Sequence, residues 1–457
     1  MNILVTVNDG RIAMNIVRTD AFRQLLAEPD VYVTLLVNAR KADYYRASFS
    51  GPRVTVIANT PSPQTRFELA FALLCLNSIP TFSLRIWQRT RYWEKGRYGL
   101  YTIAALCRFL GRFRAWRALL RLLNRSVVPV PAFYPTLLDT VQPDGIFATN
   151  MMSRDDVALL RLAKKRGIPS VGMIKSWDNP TTKSFIRDIP DTVIVHTELL
   201  KEEVVQLFDV PRERVVVSGL PQYDLWTDRS LLLSRDAFFA KIGADPAKRL
   251  LVYAAAGDWM NQADADIVRF LSGAIISGTF GPAQLLVRLH PKYASTAEQL
   301  ATLPHVIVER PGTHVTKELV DWEYEDADTL HLMNTLAWSD VVMNTASTFT
   351  IDAAIFDKPI ILIGYDGARQ LPYDASVIRY YDREHMCQIM ESGGATLVRS
   401  DVELAAAIIA ALEHPEQNVA GRAAIVAAQC YRLDGKSGAR VADALLATFR
   451  RTDKQAV

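Results

Sequence analysis

The chain has few cysteines, and none of them is clustered. No CxxC pair occurs, and no cysteine stands at a zinc-site spacing from a histidine. These absences argue against a disulfide framework and a structural zinc site, so no metal site is predicted, and a reducing cytoplasm fits this cysteine usage. The four cysteines are Cys75, Cys107, Cys387 and Cys430.

The sequence also lacks a long apolar run. One long uncharged stretch, residues 69–84, has 16 residues and contains Asn77, Ser78 and Pro80. Such a stretch is too short and too polar to span a bilayer. The chain opens directly on the apolar run 3–7, with no basic region or cleavage site before it. We therefore expect a cytoplasmic protein without a signal peptide or a transmembrane helix.

Charge of neither sign dominates the composition. The 52 basic residues nearly balance the 49 acidic ones, which gives a net charge of +3. Global charge therefore indicates no polyanionic partner, and no nucleic acid is predicted. The sequence shows no internal repeat and no low-complexity segment. A hydrophobic fraction of 49% over 457 residues predicts a globular chain with more than one core.

Short apolar runs alternate with helical patterns in both halves of the chain. This alternation predicts an α/β fold with two Rossmann-like, doubly wound domains that face each other across a cleft. Residues 1–235 are expected to form an acceptor domain and residues 236–430 a nucleotide-donor domain. A helical tail is expected over residues 431–457.

A basic helical insertion interrupts the first domain at about residues 61–131. Between Lys95 and Arg125, arginines recur among leucines and aromatic residues without a single acidic residue. A helix of this kind can lie on an anionic membrane surface. The commoner arrangement is an insertion that packs on its own domain and leaves its basic face in solvent. The sequence leaves both arrangements open.

The stretch Ser339–Tyr365 predicts a β-turn-α-β unit with a hydroxyl-rich turn. Thr345, Ser347 and Thr348 can cap the helix, while the free N–H groups of its first turn face outward. In a parallel sheet this turn lies at the carboxyl edge, where an anion such as a phosphate can bind. The same hydroxyls could equally serve as a helix cap alone.

A basic cluster follows another predicted strand of the second domain. Arg288, His290 and Lys292 are expected on the strand end next to the hydroxyl-rich turn, and together they predict a phosphate pocket. His290 could donate a hydrogen bond to a departing phosphate. The residues expected beside the nucleotide base or ribose are Glu309, Arg310 and Asp352.

In the first domain, Asp178 follows the predicted strand 170–174. A carboxylate at a strand end that faces a cleft can take the proton from an attacking hydroxyl. The alternative is an Asx turn that Asp178 makes before the proline loop. The residues expected on the acceptor side are Asp9, Arg11, Trp177 and Lys183.

Three local motifs of the second half resemble those of the two-lobed GT-B transferases. The branch in question contains the CDP-glycerol glycerophosphotransferases and related capsule and surface-polysaccharide enzymes. Arg288–Pro291 is similar to the R-x-H-P motif of that branch, and 434–437 looks like its D-G-K-A/S-S-E-R segment. Ser339–Asp352 resembles its S-D-x-x-x-T-x-x-S-S-x-x-x-D turn, with Asn344 and Thr348 as departures. A histidine-proline pair with a serine-rich turn also recurs in sialyltransferases that use CMP-activated sugars.

The first half departs from the pattern of this family. Where the glycerophosphotransferases have W-H-G-T-P-L-K, residues 177–183 keep the tryptophan and the lysine but carry Asp178 in place of the histidine. A carboxylate base is common in inverting sugar transferases of this fold, which favours glycosyl transfer over glycerol phosphate transfer.

The resemblance therefore implies a metal-independent, inverting glycosyltransferase without a further cofactor. Its donor would be a CMP- or CDP-linked sugar rather than a UDP-linked one, and its acceptor a surface-polysaccharide or lipid-linked hydroxyl. Such an enzyme would work in the cytoplasm or at the inner face of the plasma membrane. The alternatives are a CDP-glycerol-type glycerophosphotransferase, a nucleotide-sugar epimerase and a non-catalytic adaptor of polysaccharide assembly.

Overall fold

A computed structural model describes residues 1–183, 185–318 and 321–450. The chain divides into two compact units. Unit 1 comprises Met1–Thr227 and the residues from Gln429 onward, and unit 2 comprises Asp228–Ala428. The sequence placed this division a few residues later, between 235 and 236.

Unit 1 is built on a parallel sheet of seven strands. The strands are β1 (Asn2–Val7), β2 (Tyr32–Asn38), β3 (Val54–Asn59), β4 (Gly145–Ala148), β5 (Ser170–Met173), β6 (Thr192–Val195) and β7 (Val215–Val217). Their order is β3-β2-β1-β4-β5-β6-β7, so the chain winds outward in one direction from β1 and then in the other from β4. Every residue of β4 and β5 is buried, as expected for central parallel strands that are covered on both faces. The predicted doubly wound sheet is confirmed.

Helices connect these strands. Up to Thr227 they are α1 (Gly10–Ile12), α2 (Asp20–Ala27), α3 (Ala42–Phe49), α4 (Arg66–Asn77), α5 (Phe82–Gln88), α6 (Tyr98–Leu110), α7 (Arg114–Ser126), α8 (Phe133–Val141), α9 (Arg154–Arg166), α10 (Asn179–Thr182) and α11 (Glu198–Phe208). Two π-helical turns, Ala13–Val17 and Arg89–Trp93, follow α1 and α5.

The segment predicted as a basic insertion is helical, but two of its arginines do not face solvent. Arg117 and Arg121 of α7 are buried, with 5% and 9% exposure. Both contact Asp209, which lies just after α11. The expectation of a solvated basic face is therefore wrong for these two arginines, because Asp209 holds them inside, whereas Arg114 and Arg125 are exposed.

Unit 2 repeats the doubly wound plan with six parallel strands. Its strands are β8 (Arg249–Ala254), β9 (Ala283–Arg288), β10 (Val306–Glu309), the antiparallel pair β11 (Thr313–His314) and β12 (Trp322–Glu323), β13 (Val341–Asn344), β14 (Ile360–Ile363) and β15 (Thr396–Val398). The main sheet has the order β10-β9-β8-β13-β14-β15. Its direction of winding reverses between β8 and β13, which makes the carboxyl ends of these two strands the switch point.

The helices of unit 2 cover both faces of this sheet. They are α12 (Arg235–Ile242), α13 (Asp264–Ile276), α14 (Asp326–Trp338), α15 (Phe349–Ile355), α16 (Glu384–Glu391), α17 (Asp401–Glu413) and α18 (Val419–Cys430). The predicted β-turn-α-β unit is confirmed as β13, α15 and β14. The hairpin of β11 and β12 and the helix α16 were not predicted.

The last helix, α19 (Ser437–Phe449), packs in unit 1 rather than standing alone as a tail. Asp224 accepts hydrogen bonds from the backbone N–H groups of Ser437 (2.9 Å) and Gly438 (2.6 Å). A Cβ on Gly438 would lie 2.6 Å from the backbone nitrogen of Ala21, so only glycine lets α19 approach α2 this closely. The D-G-K-S motif therefore starts a helix that unit 1 needs for its core. Of the predicted tail, residues 451–457 lie outside the described residues.

Candidate active site

At the switch point of unit 2, a buried hydrogen bond joins the loop after β8 to the end of β13. Asn261 Nδ2 donates to Thr345 Oγ1 at 3.1 Å, and the two residues are 1% and 0% exposed. The Thr345 hydroxyl therefore stabilises the carboxyl edge of this sheet from a buried position. The sequence pattern assigned Thr345 a phosphate-binding role and did not single out Asn261.

A buried aspartate, also missed by the sequence analysis, organises the loop after β8. Asp264, the first residue of α13, accepts hydrogen bonds from the Tyr253 hydroxyl (2.6 Å) and the Gly257 N–H (2.8 Å). Burial raises the pKa of Asp264 to about 6, and these two hydrogen bonds oppose the rise. A carboxylate that opens the helix after a switch-point strand is the sequence signal that could have found it.

Gly257 brings the β8 loop into contact with the loop after β9. Its φ is +83°, and a Cβ there would lie 2.7 Å from Tyr293 Cβ and 3.1 Å from the Ala294 carbonyl oxygen. The two loops therefore pack together only because residue 257 has no side chain.

We expect Gly257→Ala to destabilise the protein by about 3 kcal/mol, since a steric clash adds to the cost of a positive φ. Gly243→Ala is the matched control, because Gly243 also has a positive φ, +69°, but a Cβ placed on it would meet no atom within 4 Å. It should cost only about 1 kcal/mol. Urea unfolding of both variants measures the difference, and equal costs would show that the two loops separate freely.

The histidine of the R-x-H-P motif is held in a defined orientation. His290 Nδ1 accepts a hydrogen bond from the Lys292 backbone N–H at 3.0 Å. In the neutral ring the proton therefore lies on Nε2, which is the nitrogen able to donate. The ring also packs on Tyr293, with centroids 4.5 Å apart, and Tyr293 in turn stacks on Trp259 at 5.3 Å.

Arg310 stabilises the loop that carries His290. Its guanidinium donates to the carbonyl oxygens of His290 (2.7 Å) and Tyr293 (3.1 Å), and to Glu298 Oε2 at 2.9 Å. The sequence analysis placed Arg310 beside the nucleotide base or ribose. In the structure its hydrogen bonds position the His290 loop.

Two further predicted site residues pair with one another. Arg288 is 5% exposed and donates to Glu309 Oε1, while His331 Nε2 lies 2.7 Å from Glu309 Oε2. Burial acts to raise the pKa of Glu309, but His331 and Arg288 outweigh it and hold that pKa below its ordinary value. The charge of Arg288 is thus largely matched inside unit 2, so its predicted phosphate role has less support than that of His290 or Lys292.

The hydroxyl-rich turn uses most of its own donors. Ala346 N–H donates to the Tyr381 hydroxyl (3.2 Å), Ser347 N–H to Asn344 Oδ1 (3.2 Å), and Phe349 N–H to Ser347 Oγ (3.2 Å). These amides do not face outward unpaired, in contrast to the expectation, because Asn344 and Tyr381 reach them first. Fewer backbone N–H groups of this turn are therefore open to an anion than the sequence predicts.

Two further predicted site residues, Thr348 and Asp352, lie at the start of α15. Thr348 precedes the helix in a helical conformation, and its side chain makes no capping hydrogen bond. Its carbonyl oxygen accepts from the N–H of Asp352 at 3.2 Å. Asp352 is 9% exposed and lies within the first turn of α15.

The basic loop and the turn flank the same strand. The sequence analysis expected them on neighbouring strands, but β8 lies between β9 and β13. Since neighbouring strands are about 4.8 Å apart, the ends of β9 and β13 are separated by about 10 Å. The loop that follows β8 lies between these two strand ends, where it contacts the β9 loop through Gly257 and Thr345 through Asn261.

In unit 1, Asp178 lies at the carboxyl edge of the sheet, shortly after β5. It precedes α10, and its side chain does not cap that helix. Lys183 Nζ lies 3.3 Å from Asp178 Oδ2, and the Asp178 side chain is 17% exposed. The Asp178 carboxylate therefore pairs with Lys183 and does not cap α10. Trp177, next to it, is partly buried.

A second ion pair lies at this edge, between the ends of β1 and β5. Lys175 Nζ contacts Asp9 Oδ2, and Asp9 Oδ1 caps α1 by accepting from Ile12 N–H at 3.2 Å. Burial acts to raise the pKa of Asp9, but the charges of Lys175 and Arg11 lower it by more. The pKa of Asp9 therefore lies below its ordinary value. The structure thus brings Asp9 and Lys175 together, although the sequence analysis did not name Lys175.

Unit 1 also has a buried aspartate at its switch point, between β1 and β4. Asp156 in α9 accepts from Asn150 N–H (2.8 Å), Thr6 Oγ1 (3.1 Å) and Asn8 Nδ2 (3.2 Å). Burial raises its pKa to about 6. Asp156 therefore resembles Asp264 of unit 2 in its burial and its hydrogen bonds, although it lies on the helix after the second switch-point strand, β4, and Asp264 on the helix after the first, β8.

Neither a metal cluster nor a membrane span occurs in the described parts of the chain. Within residues 1–183, 185–318 and 321–450, no group of three or more His, Cys, Asp and Glu side chains is placed to hold a metal ion. Within the same ranges no helix has the length and apolar character that crossing a bilayer requires.

No protein-family model and no curated protein sequence matches this chain. Solved structures do match it along nearly its whole length. A UDP-GlcNAc 2-epimerase from Neisseria meningitidis, bound to UDP-GlcNAc, is 11% identical, with 98% of this chain and 100% of that chain covered and a TM-score of 0.57. A putative UDP-N-acetylglucosamine 2-epimerase from Listeria monocytogenes is 13% identical, with 99% and 98% covered and a TM-score of 0.57.

The wall teichoic acid polymerase TagF, soaked with CDPG, is 12% identical, with 98% of this chain and 89% of that chain covered and a TM-score of 0.51. Likeness at these identities concerns the fold and not the activity. With its two doubly wound parallel sheets, the chain has the GT-B fold.

Proposed function

We propose that the protein is a glycosyltransferase that moves a sugar from a nucleotide-activated donor to an acceptor hydroxyl. The observation that carries this proposal is the orientation of His290, whose Nδ1 is engaged by the Lys292 N–H so that Nε2 carries the proton. A neutral imidazole donor at the carboxyl edge of a parallel sheet suits the stabilisation of a leaving phosphate.

In this proposal unit 2 holds the donor. His290 Nε2–H and the Lys292 ammonium contact the phosphate oxygens, and Arg310 positions the loop that carries both residues. Ser347 and Thr348 approach the phosphate from the other side of β8. The leaving nucleotide takes the electrons of the breaking sugar–oxygen bond, and these protein groups neutralise the developing charge in place of a metal ion.

Unit 1 supplies the base. Asp178 takes the proton of the acceptor hydroxyl as the new bond forms at the anomeric carbon, and Lys183 restrains the carboxylate at 3.3 Å. A single displacement of this kind inverts the configuration of the sugar. Asp9, Arg11 and Trp177 are proposed to line the acceptor side, since they lie at or beside the same edge of the sheet.

A nucleotide-binding measurement tests the proposal. We expect one of CMP, CDP, UDP or GDP to raise the thermal stability of the wild-type protein, by about 2.7 kcal/mol at 100 times its Kd. His290→Ala should reduce this shift, because the variant loses a donor to the phosphate. His414→Ala is the control, since His414 is exposed on the same unit and pairs with Glu416. Stabilisation by none of the four nucleotides, or an equal shift in both variants, contradicts the proposal.

The second candidate function is nucleotide-sugar epimerisation. The similarity of the fold to two UDP-GlcNAc 2-epimerases, each with a TM-score of 0.57, favours it. An epimerase converts its nucleotide sugar without an acceptor, whereas a transferase consumes it only when an acceptor is present. NMR of the nucleotide sugar, incubated with the protein alone, separates the two.

The similarity of the fold to TagF favours a third candidate, a CDP-glycerol-type glycerophosphotransferase. The donor decides this question, because such an enzyme releases CMP from CDP-glycerol and leaves nucleotide sugars intact. A non-catalytic adaptor of polysaccharide assembly would bind a nucleotide and turn over neither donor.

A further inference from the structure

Helix α7 buries two of its arginines while it exposes two of its leucines. Its arginines recur at three- and four-residue intervals, at 114, 117, 121 and 125, and therefore form one stripe. In a helix that covers a domain, such a stripe faces water and the apolar side faces the core. Here Arg117 and Arg121 are 5% and 9% exposed, whereas Leu119 and Leu122 are 42% and 59% exposed.

Specific partners hold the two buried arginines inside and engage Arg125. Arg117 makes two hydrogen bonds of 2.7 Å to the carboxylate of Asp209, and Arg121 donates to the carbonyl oxygens of Phe208 and Ile186. Arg125 Nε lies 2.9 Å from Asp188 Oδ1. These bonds fix the rotation of α7 about its axis, with Leu120 buried in the core and Leu119 and Leu122 facing outward.

Helix α6 presents an apolar side to solvent as well. Phe109, at its end, packs edge-on against Phe113, just before α7, with centroids 5.5 Å apart, so the apolar surface continues from one helix to the next. We call this surface the apolar face. It comprises Leu100, Ile103, Leu106, Phe109, Leu119 and Leu122, each between 42% and 60% exposed.

The charges around the apolar face are almost all positive. Between residues 69 and 131 the only acidic residue is Glu94. Lys95, Arg97 and Arg112 are exposed, and the Arg114 side chain is 84% exposed although its Nε lies 3.1 Å from Asp209 Oδ1. Trp93, which ends the preceding π-helical turn, packs on Tyr98, the first residue of α6, and both are also about half exposed. Apolar side chains, interfacial aromatic residues and a cationic border are the features of a helix that lies in a lipid headgroup region.

We propose that α6 and α7 dock unit 1 onto an anionic lipid bilayer, with the apolar face inserted into the headgroup boundary. At 1.5 Å per residue each helix is about 20 Å long, so the pair lies along the surface. The exposed cations contact anionic headgroups, each strengthening binding by about fivefold. This inference does not depend on the proposed catalytic function.

Vesicle sedimentation tests the proposal. The wild-type protein should bind vesicles of phosphatidylcholine mixed with phosphatidylglycerol more tightly than vesicles of phosphatidylcholine alone. Ile103→Glu should weaken binding at least tenfold, because it places a carboxylate in the apolar face. Ile276→Glu is the matched control, since Ile276 is a helical isoleucine of unit 2 with 59% exposure against 60% for Ile103. It should bind as the wild type does.

A second variant separates electrostatic from apolar attraction. Arg112→Gln should weaken binding to the anionic vesicles about fivefold and leave binding to neutral vesicles unchanged. Both substitutions are on the surface, and unchanged thermal unfolding confirms that each variant is folded. The proposal is overturned if the wild type binds no vesicles, or if Ile103→Glu and Ile276→Glu bind equally. It is also overturned if light scattering shows that Ile103→Glu dissociates an oligomer while vesicle binding is unaffected, because the face then joins copies of this chain.

Discussion

Asp178→Asn is expected to lower the rate of sugar transfer by about 10²- to 10⁴-fold, the contribution typical of a positioned general base. Asparagine keeps the size of the side chain but cannot take a proton from the acceptor hydroxyl. Nucleotide binding should not change, because the proposed phosphate contacts belong to unit 2. Initial rates at saturating donor, together with the thermal shift on nucleotide addition, measure the two effects separately.

Asp191→Asn is the matched control for this prediction. Asp191 lies at the opposite, amino edge of the same sheet, where its carboxylate accepts from the backbone N–H (2.9 Å) and the hydroxyl (3.1 Å) of Ser170. It should transfer sugar at the wild-type rate. Wild-type turnover by Asp178→Asn would remove Asp178 from the mechanism, even if nucleotide binding at His290 is established.

Asp209→Asn is expected to cost about 3 kcal/mol of the free energy of unfolding. This is the lower end of the cost of breaking a buried ion pair, because the Asp209 side chain retains 16% exposure. The substitution leaves Arg117 and Arg121 buried without a carboxylate. Asparagine tolerates the positive φ of +54° at this position, so the backbone adds little to the effect. Urea unfolding at neutral pH measures it.

The pH dependence gives a second readout for Asp209. Burial acts to raise its pKa, but Arg117, Arg121 and Arg114 lower it more, so in the folded protein the pKa lies below its ordinary value. A depressed carboxyl pKa stabilises the fold above the unfolded value of about 3.9, and this stabilisation is lost as the pH falls through the folded value. The wild-type and Asp209→Asn proteins should therefore become more alike in stability toward low pH.

The control for this prediction is Glu202→Gln. Glu202 pairs with Arg212 at 2.6 Å, but both side chains are exposed, and exposed pairs contribute little. Its unfolding should be close to that of the wild type. If Asp209→Asn unfolds like Glu202→Gln, the buried arginines of α7 find other partners, and the rotation of the helix is not fixed by Asp209.

Local sequence patterns were sufficient to predict the two doubly wound sheets. Strands such as β4 and β14 are short apolar runs bounded by turn residues, and the helical periodicity between them is strong. The same patterns placed His290 and Asp178 after strands, at the carboxyl edges where ligands bind in this architecture. Strand order could not be obtained in this way, which is why β9 and β13 were expected to be neighbours.

By itself, then, the sequence determined the parallel α/β fold and which polar residues follow its strands, because both depend on neighbours in the chain. Only the tertiary structure decided that Glu309 neutralises Arg288, that Arg310 supports the His290 loop, and that the arginines of α7 face Asp209 and Asp188. These contacts join residues that are far apart in sequence. A charge pattern shows that a helix has a basic side, but the direction of that side depends on whether a buried carboxylate elsewhere in the fold pairs with it more favourably than water does.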